Sequence, residues 1–209
     1  MTVKRHGHEM NNGKPGYPFF AMLSRMKYIN RWGLMRNTRN ENIQEHSLQV
    51  AMIAHALALI RNRRFGGDAD AGRAAAIAIF HDCDEIMTGD LPTPVKYFNE
   101  GILKAYREIE NEAKERLLSM LPDELRHDYR DLLYHDAESD AELWRLVKAA
   151  DTICAYIKCL EEISGGNAEF ATAAKSTRSK LDALELPEVR VFINDYIGAF
   201  SLSLDDYGI

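Results

Sequence analysis

Apolar residues recur at intervals of three and four positions along most of this 209-residue chain. Between positions 40 and 62 this apolar stripe consists of Ile43, Val50, Ile53, Leu57 and Ile60. Such spacing places the side chains on one face of an α-helix. The same criterion predicts helices over residues 19–29, 40–62, 70–87, 99–120 and 140–163, a short helix after Pro122, and one or two more helices near the C-terminus. No segment alternates apolar and polar residues as strands do, so the pattern predicts an all-α bundle.

Glycine and proline mark where the helical segments stop. Residues 1–18 are polar, and glycines and prolines cluster near their end. We therefore expect residues 1–18 to form a flexible tail and residues 19–209 to form a single domain. The segment Leu91-Pro92-Thr93-Pro94 cannot continue the helix before it, because proline lacks the N–H donor and fixes φ.

Composition narrows the classes of protein that fit. The net charge of -6 argues against non-specific nucleic-acid binding, which needs a basic surface. Three cysteines, with no CxxC motif among them, indicate reduced thiols in a cytoplasmic protein. No apolar run approaches the roughly 20 residues of a membrane-spanning helix, so we expect no membrane partner.

The dipeptide His81-Asp82, at the end of an alanine-rich apolar run, is the first candidate for chemistry. If the helix predicted over 70–87 is continuous, Glu85 lies one turn beyond the dipeptide and on the same face. His46 and Asp151 lie on the apolar stripes of two other predicted helices. His55 is nine residues from His46, which places it on about the opposite face of the same helix, so it cannot share a site with His46.

Taken singly, these residues have structural interpretations: His46 as a core histidine, Asp151 as a buried cap or ion-pair partner. Together they supply two imidazoles and two carboxylates from three separate helices. Such a set holds a divalent cation that can activate water, so we interpret it as a metal site between helices. The order His…His-Asp…Asp resembles that of the HD-domain metal-dependent phosphohydrolases.

The flanking sequence makes the resemblance more specific. Three segments are similar to the bacterial HD-domain 5'-deoxynucleotidases: INRWGLMRNTRNENIQEHSLQVAMIAHALA, HDCDEIMTGDLPTPVKYFN and LVKAADTICAYIKCLEEI. These enzymes hydrolyse deoxyribonucleoside 5'-monophosphates to a deoxynucleoside and phosphate. The resemblance implies an HD-domain helical bundle, a nucleotide substrate and a homodimer. It favours Co²⁺ as the cofactor in vitro, with Mn²⁺, Fe²⁺, Ni²⁺, Cu²⁺ or Zn²⁺ as other candidates.

The resemblance also implies roles for individual residues. The implied metal ligands are His46, His81, Asp82 and Asp151. The implied substrate-binding residues are Arg31, Trp32, His46, Asp82, Asp90, Leu91, Pro92, Thr93 and Asp151. Within this set Arg31 and Trp32 contact the substrate, while residues 90–93 shape the sugar side of the pocket.

The residue types suggest how these groups would act. A metal-activated water would attack phosphorus in line and expel the 5'-oxygen of the sugar. Glu85 would orient that water or relay a proton, although it has a structural alternative as an exposed helix-end carboxylate. The guanidinium of Arg31 matches phosphate oxygens and would stabilise the transferring group. Trp32 and the Asp90–Thr93 turn would exclude or accept sugar hydroxyls.

Two features depart from the family pattern. The N-terminal tail is longer than expected, and Cys83-Asp84 replaces the small residues that usually stand between His-Asp and Glu. The second departure adds a negative charge close to a phosphate site. We therefore expect Asp84 to affect substrate affinity and not the class of reaction.

Other motifs and other functions stay open at this stage. The pair His135-Asp136 lies in a polar stretch, His6 and His8 lie in the tail, and Lys96 and Lys148 are candidate anion-binding groups. An HD phosphohydrolase acting on a cyclic nucleotide, a nucleoside triphosphate or an alarmone is one alternative. A di-iron oxygenase would need further ligands, for which the chain offers only His127 and His135 between the motif halves. The third alternative is a nucleotide-sensing protein that binds the metal without catalytic turnover.

Overall fold

The computed structural model describes residues 16–134 and 140–208, which fold into ten α-helices linked by short turns. The helices are α1 Phe19–Leu23, α2 Ile43–Phe65, α3 Ala71–Phe80, α4 Glu85–Thr88, α5 Thr93–Lys96, α6 Glu100–Ser119, α7 Asp123–Leu133, α8 Ala141–Ser164, α9 Ala171–Asp182 and α10 Pro187–Asp195. Short 3₁₀ turns lie at Ser24–Tyr28, Ala168–Phe170, Ile197–Ser201 and Leu204–Tyr207. No β-strand occurs in the described ranges, which confirms the all-α prediction.

Side-chain caps explain where several helices begin. The side chain of Asn42 accepts hydrogen bonds from the backbone N–H groups of residues 44 and 45 and so starts α2. Asp70 caps α3 and Asn99 caps α6 in the same way. At the other end of α2, Gly66 adopts a left-handed conformation with φ 70°, which a residue without a Cβ takes without strain.

The main core lies where α2, α3, α8 and α10 pack together. It is built from fully buried aliphatic side chains, among them Val50, Leu57, Ile77, Val147 and Ile153. Both long helices therefore keep one face against the core. Because these faces are packed against the core, the polar residues that lie on them are placed toward the interior as well.

The predicted helix over 70–87 is wrong as a continuous element. Helix α3 ends at Phe80, and α4 begins at Glu85. Between them the backbone closes tight turns, with hydrogen bonds from Cys83 N to Phe80 O and from Glu85 N to Asp82 O. His81 is the C-cap residue of α3 and keeps helical dihedrals. The apolar periodicity therefore continues across a break in the α-helix.

The proline-rich segment also differs from expectation, because it stops one helix and starts another. Helix α5 begins at Thr93, with a proline in its first turn, where the missing N–H has no intrahelical partner to lose. None of the described helices is both long and apolar enough to cross a lipid bilayer.

The segment that leads from the first 3₁₀ turn to α2 forms a loop. Its two ends meet in an isolated antiparallel bridge between Asn30 and Asn42, with hydrogen bonds from Arg31 N to Glu41 O and from Ile43 N to Ile29 O. We call residues 30–42 the closed loop.

Candidate metal centre and active site

The four residues implied as metal ligands lie close together between α2, the turn after α3, and α8. His46 on α2 and His81 are buried, at 1% and 5% exposure. Donor atoms of His46, His81 and Asp151 all lie within 4.8 Å of one another. Asp82 Oδ2 lies 3.1 Å from His81 Nε2 and 3.6 Å from His46 Nε2, and Asp151 Oδ1 lies 3.1 Å from His46 Nε2. Nitrogen and oxygen donors therefore surround one point.

The two imidazoles are oriented so that each turns Nε2 toward this point. The Nδ1 atom of His81 lies 2.7 Å from the carbonyl oxygen of Ala78, so Nδ1–H donates there and Nε2 is the nitrogen that faces the carboxylates. The Nε2 atoms of His46 and His81 are buried and make no hydrogen bond to any described residue. Buried nitrogens without a hydrogen bond, facing carboxylates, are what a divalent cation would satisfy. The residues present fit such an ion.

The carboxylates of this cluster are held in their charged form. Burial alone would raise the pKa of Asp82, but the neighbouring His81, His46 and Arg31 outweigh it and lower that pKa well below the usual range. The pKa of Asp151 is likewise lowered, because His46 and His81 outweigh the effect of burial. Both side chains thus offer anionic oxygens at neutral pH.

Glu85 has the opposite electrostatic character. Burial, followed by the negative charges of Asp82 and Asp90, raises its pKa far above that of an ordinary carboxyl. Its Oε2 atom is buried and makes no hydrogen bond within the described part of the chain. Glu85 is therefore a half-buried group beside the candidate ligands, and not the exposed helix-end carboxylate of the structural alternative.

Arg31 is drawn into the site by acidic groups. Its side chain is 13% exposed, with NH1 3.5 Å from Asp82 Oδ2 and Nε 3.5 Å from Glu41 Oε2. Burial lowers the pKa of a guanidinium, but Asp82, Asp151 and Glu41 raise the pKa of Arg31 by more. The arginine stays charged beside the cluster.

Trp32 is held in a conformation that bulky residues seldom adopt. Its φ is 58°, and among the described residues Trp32 is the only one other than glycine with a positive φ. The backbone N–H donates to Asp90 Oδ2 at 3.2 Å, and the indole Nε1–H donates to Glu41 Oε2 at 3.1 Å. The ring also packs against Phe170, with centroids 5.4 Å apart. These three contacts fix the indole at the edge of the site.

Glu41 is the residue of the site that the sequence analysis missed. Besides the contacts to Trp32 and Arg31, its Oε1 lies 3.7 Å from His46 Nδ1. One carboxylate therefore touches a candidate ligand and two candidate substrate-binding residues. Glu41 lies in the closed loop, where no helical periodicity singles it out; its only signal is its position five residues before His46.

The Asp90–Thr93 turn lines a cavity of about 590 Å³ together with Arg31, Trp32 and Asp151. This volume lies in the range of small-molecule sites, and its wall is largely apolar. We call it the nucleoside cavity. The residues implied for the sugar side thus do border one space with a candidate metal ligand.

Other residues singled out in the sequence lie away from the cluster. His55 is exposed, as the helical phase predicted. His127 is exposed and lies 3.8 Å from Asp131 on α7, so it contributes nothing to the centre. His6, His8 and the pair His135-Asp136 lie outside the described residues.

The charge added by Asp84 is partly compensated. Asp84 is buried, and its Oδ1 lies 3.9 Å from Lys114 Nζ. Burial raises the pKa of its carboxyl above the ordinary value. The ammonium of Lys114 offsets part of the negative charge that a phosphate would meet.

The fold defines the class of protein. An HD-domain phosphohydrolase from Listeria innocua superposes with a TM-score of 0.76 at 21% identity, covering 92% of both chains. An HD phosphohydrolase of cyanophage S-2L, solved with dA and one catalytic Zn²⁺, gives a TM-score of 0.56 at 20% identity over 87% of this chain and 95% of the other. The chain has the HD-domain phosphohydrolase fold.

Sequence comparison gives the family. The family model described as 5'-deoxynucleotidase YfbR-like matches residues 18–200. A 5'-deoxynucleotidase from Vibrio vulnificus is 53% identical over 188 residues, which make up 90% of this chain and 96% of the relative. The chain belongs to the YfbR-like 5'-deoxynucleotidase family, as its motifs predicted.

Proposed function

We propose that this protein is a metal-dependent phosphomonoesterase that hydrolyses deoxyribonucleoside 5'-monophosphates to a deoxynucleoside and phosphate. The observation that carries the proposal is the cluster of buried, unsatisfied imidazole nitrogens and ionised carboxylates beside a half-buried arginine. It borders a cavity of nucleoside size. The Vibrio vulnificus relative, at 53% identity, is named for the same activity.

The ligands in this proposal are His46, His81, Asp82 and Asp151. A divalent cation held by them would lower the pKa of a coordinated water toward neutrality and so supply a nucleophile. Mixed nitrogen and oxygen donors suit several first-row metals. We favour Co²⁺ for activity in vitro, with Mn²⁺, Fe²⁺, Ni²⁺, Cu²⁺ or Zn²⁺ as other candidates; the cyanophage neighbour was solved with Zn²⁺.

Arg31 and Glu85 act on the phosphate end of the substrate. The Arg31 guanidinium, already charged and half-buried beside Asp82, binds phosphate oxygens and stabilises charge on the transferring group. Glu85, which lies beside the candidate ligands, orients the attacking water or relays a proton. The 5'-oxygen leaves on the side away from the water.

Trp32 and the Asp90–Thr93 turn act on the sugar. The indole is fixed by Glu41 and Phe170, so it is a rigid wall that excludes a hydroxyl by contact. Asp90 uses Oδ2 to hold the Trp32 backbone and offers its carboxylate to a sugar hydroxyl. Leu91, Pro92 and Thr93 complete the wall of the nucleoside cavity. The base has no dedicated polar partner in this scheme, so we expect broad base tolerance.

The experiment measures phosphate release from matched deoxyribo- and ribonucleoside 5'-monophosphates, and from 3'-monophosphates, with saturating Co²⁺ or Mn²⁺. We expect the 5'-deoxy substrates to be hydrolysed and the others to be much poorer. Trp32→Ala should narrow the deoxy-to-ribo ratio, whereas Arg31→Ala should depress all substrates together. Equal rates on both sugars would contradict sugar discrimination and leave the phosphohydrolase activity standing.

We further infer that the enzyme works as a homodimer in the cytoplasm. Exposed apolar side chains of Phe20, Leu48 and Ile79 line a groove that a second copy would cover, and the family resemblance favours a dimer. All three cysteines are buried and unpaired, as in reducing compartments. A mass of one chain by light scattering at micromolar concentration would contradict the dimer.

A further inference from the structure

A second cavity, of about 340 Å³, borders the candidate centre. Its wall includes His81, Asp82 and Glu85, whereas the nucleoside cavity reaches the centre through Asp151. Among the described residues the two cavities share no lining side chain. The candidate metal ligands therefore stand between two separate spaces. We call the smaller one the basic cavity.

Four cations from α5, α6 and α8 give this cavity its name: Lys96, Arg107, Lys114 and Lys148. Two of them are already paired. Lys96 Nζ lies 2.7 Å from Glu110 Oε1, and Lys114 Nζ lies 3.9 Å from Asp84 Oδ1.

The other two cations have no carboxylate partner in the described ranges. Arg107 and Lys148 are exposed at the cavity wall and form no ion pair there. Lys148 Nζ instead lies 4.7 Å from the centre of the Trp144 ring, a cation–π contact that leaves its charge uncompensated. The cavity wall also carries four carboxylates, from Asp82, Asp84, Glu85 and Glu110, two of which are paired with Lys96 and Lys114. The charges of Arg107 and Lys148, which no described carboxylate pairs, are the ones left to meet a small anion such as inorganic phosphate.

The geometry of phosphoryl transfer places the product on this side. In an in-line displacement the water attacks opposite the leaving 5'-oxygen. The nucleoside occupies the nucleoside cavity, and Glu85, which orients the water, lines the basic cavity. The phosphoryl group consequently moves away from the sugar and toward Arg107 and Lys148 as the bond to the water forms.

We propose that the basic cavity is a binding site for inorganic phosphate, through which this product leaves while the deoxynucleoside leaves through the nucleoside cavity. The assignment rests on the proposed phosphomonoesterase reaction and adds a second anion site to it. It also gives Lys148 and Lys96, which the catalytic scheme does not use, a place along the product's path.

The test is a calorimetric titration of inorganic phosphate into the full-length, metal-loaded protein at constant ionic strength. We expect two phosphate sites per chain, one at the centre and one in the basic cavity. The double variant Arg107→Gln/Lys148→Gln should lose the second site or weaken it by about tenfold or more, since each charged contact contributes strongly. The matched control is Lys104→Gln/Arg145→Gln, which removes the same charge from exposed positions of α6 and α8 outside the cavity.

Product inhibition supplies a second measurement. Phosphate in the basic cavity can bind while a nucleotide occupies the centre, so part of the inhibition by phosphate should persist at saturating substrate. Of the three proteins, only Arg107→Gln/Lys148→Gln should lose this persistent inhibition. Identical site numbers and inhibition in all three proteins would overturn the proposal. If the double variant loses one calorimetric site but the wild-type protein hydrolyses no nucleotide, the phosphate site is upheld and the proposed reaction is overturned. The two failures are therefore distinguishable.

Discussion

Asp82 and Glu85 are three residues apart, yet their surroundings move their carboxyl pKa values in opposite directions. Asp82 faces two imidazoles and an arginine, which lower its pKa, while burial and like charges raise the pKa of Glu85. Neighbouring acids separated in this way suit different roles in catalysis. In the proposed mechanism Asp82 stays an anion that can bind metal, and Glu85 orients the water or relays a proton.

Replacing Glu85 should separate catalysis from metal binding. Glu85→Ala should keep bound metal and nucleotide affinity while turnover falls by about 10²- to 10⁴-fold, the effect of losing a positioned acid or base. Metal analysis of the purified protein and single-turnover kinetics check both parts. Glu108→Ala, an exposed carboxylate on α6, is the control; near-normal turnover in Glu85→Ala would return Glu85 to a structural role.

Glu41 should affect metal affinity and sugar choice together, because it contacts His46, Trp32 and Arg31. Glu41→Gln removes the charge that faces His46 Nδ1, and such partners of a ligand histidine typically contribute about 10- to 100-fold to metal affinity. We expect weaker Co²⁺ binding in a spectroscopic titration and a smaller deoxy-to-ribo ratio. Glu45→Gln, an exposed residue in the first turn of α2, should change neither. An effect on overall activity alone would argue against this role.

The residues predicted from sequence and those missed differ in what surrounds them along the chain. His46 and Asp151 could be recognised because each interrupts an apolar helical stripe. Arg31 and Trp32 came only from the family resemblance. Glu41 shows no periodicity, and its role arises when the closed loop brings it back beside His46.

At the scale of elements, the closed loop is fastened to α8 by one buried ion pair. Glu162, 1% exposed, accepts hydrogen bonds from Thr38 N at 2.9 Å, Thr38 Oγ1 at 2.7 Å and Asn167 Nδ2 at 2.8 Å. It is also paired with Lys158, which donates to the carbonyl of Arg39. The loop that carries Arg31 and Trp32 is thereby held against the helix that carries Asp151.

Glu162→Gln should destabilise the fold by about 3–5 kcal/mol, because it leaves Lys158 buried without its counter-charge. Urea unfolding measures the loss, and Glu161→Gln, its exposed neighbour, is the control. We also expect kcat/KM to fall, since the closed loop loses its attachment. Equal unfolding free energies for both variants would contradict this account.

The same contact predicts a dependence of stability on pH. Burial raises the pKa of Glu162, but Lys158, Asn167 and Thr38 outweigh it and hold the pKa well below the ordinary 4.5. A carboxyl whose pKa is lowered by folding stabilises the protein fully above its unfolded pKa and loses that contribution as the pH falls through the folded value. Wild-type stability should therefore decline below about pH 4.5, and the decline should be shallower in Glu162→Gln.

Helix boundaries were less predictable than helices. His81 and Asp84, at the two ends of the turns after α3, keep nearly helical dihedrals while the hydrogen bonds there shorten to i→i+3, so apolar periodicity does not detect the end of α3. The start of α5 was missed for a different reason: proline ends one helix and is also tolerated in the first turn of the next.

At the scale of the whole molecule, the centre joins α2, the turn after α3, and α8, so bound metal should stabilise the entire fold. At a metal concentration of about 100 times Kd, binding adds about 2.7 kcal/mol. For a chain of this length that corresponds to a rise in Tm of roughly 5–10 °C over the chelator-treated protein.

His46→Ala should abolish this metal-dependent rise in Tm together with activity, and Asp82→Ala should do the same. His55→Ala, on the exposed face of the same helix, should retain both. Differential scanning calorimetry with and without Co²⁺ checks the prediction. Full metal content and activity in His46→Ala would refute the ligand set, while loss of metal in His55→Ala would refute the helical-phase argument.

Because the two ends of the closed loop meet at Asn30 and Asn42, its length and sequence can change without displacing the helices on either side. The histidines and aspartates of the centre lie outside this segment. Divergence among descendants of such a protein can therefore alter which sugar is accepted, and hydrolysis is inherited wherever Arg31 and Glu41 are kept. A combinatorial library restricted to residues 32–35, which line the nucleoside cavity, would explore new substrates while Arg31 and Glu41 stay in place.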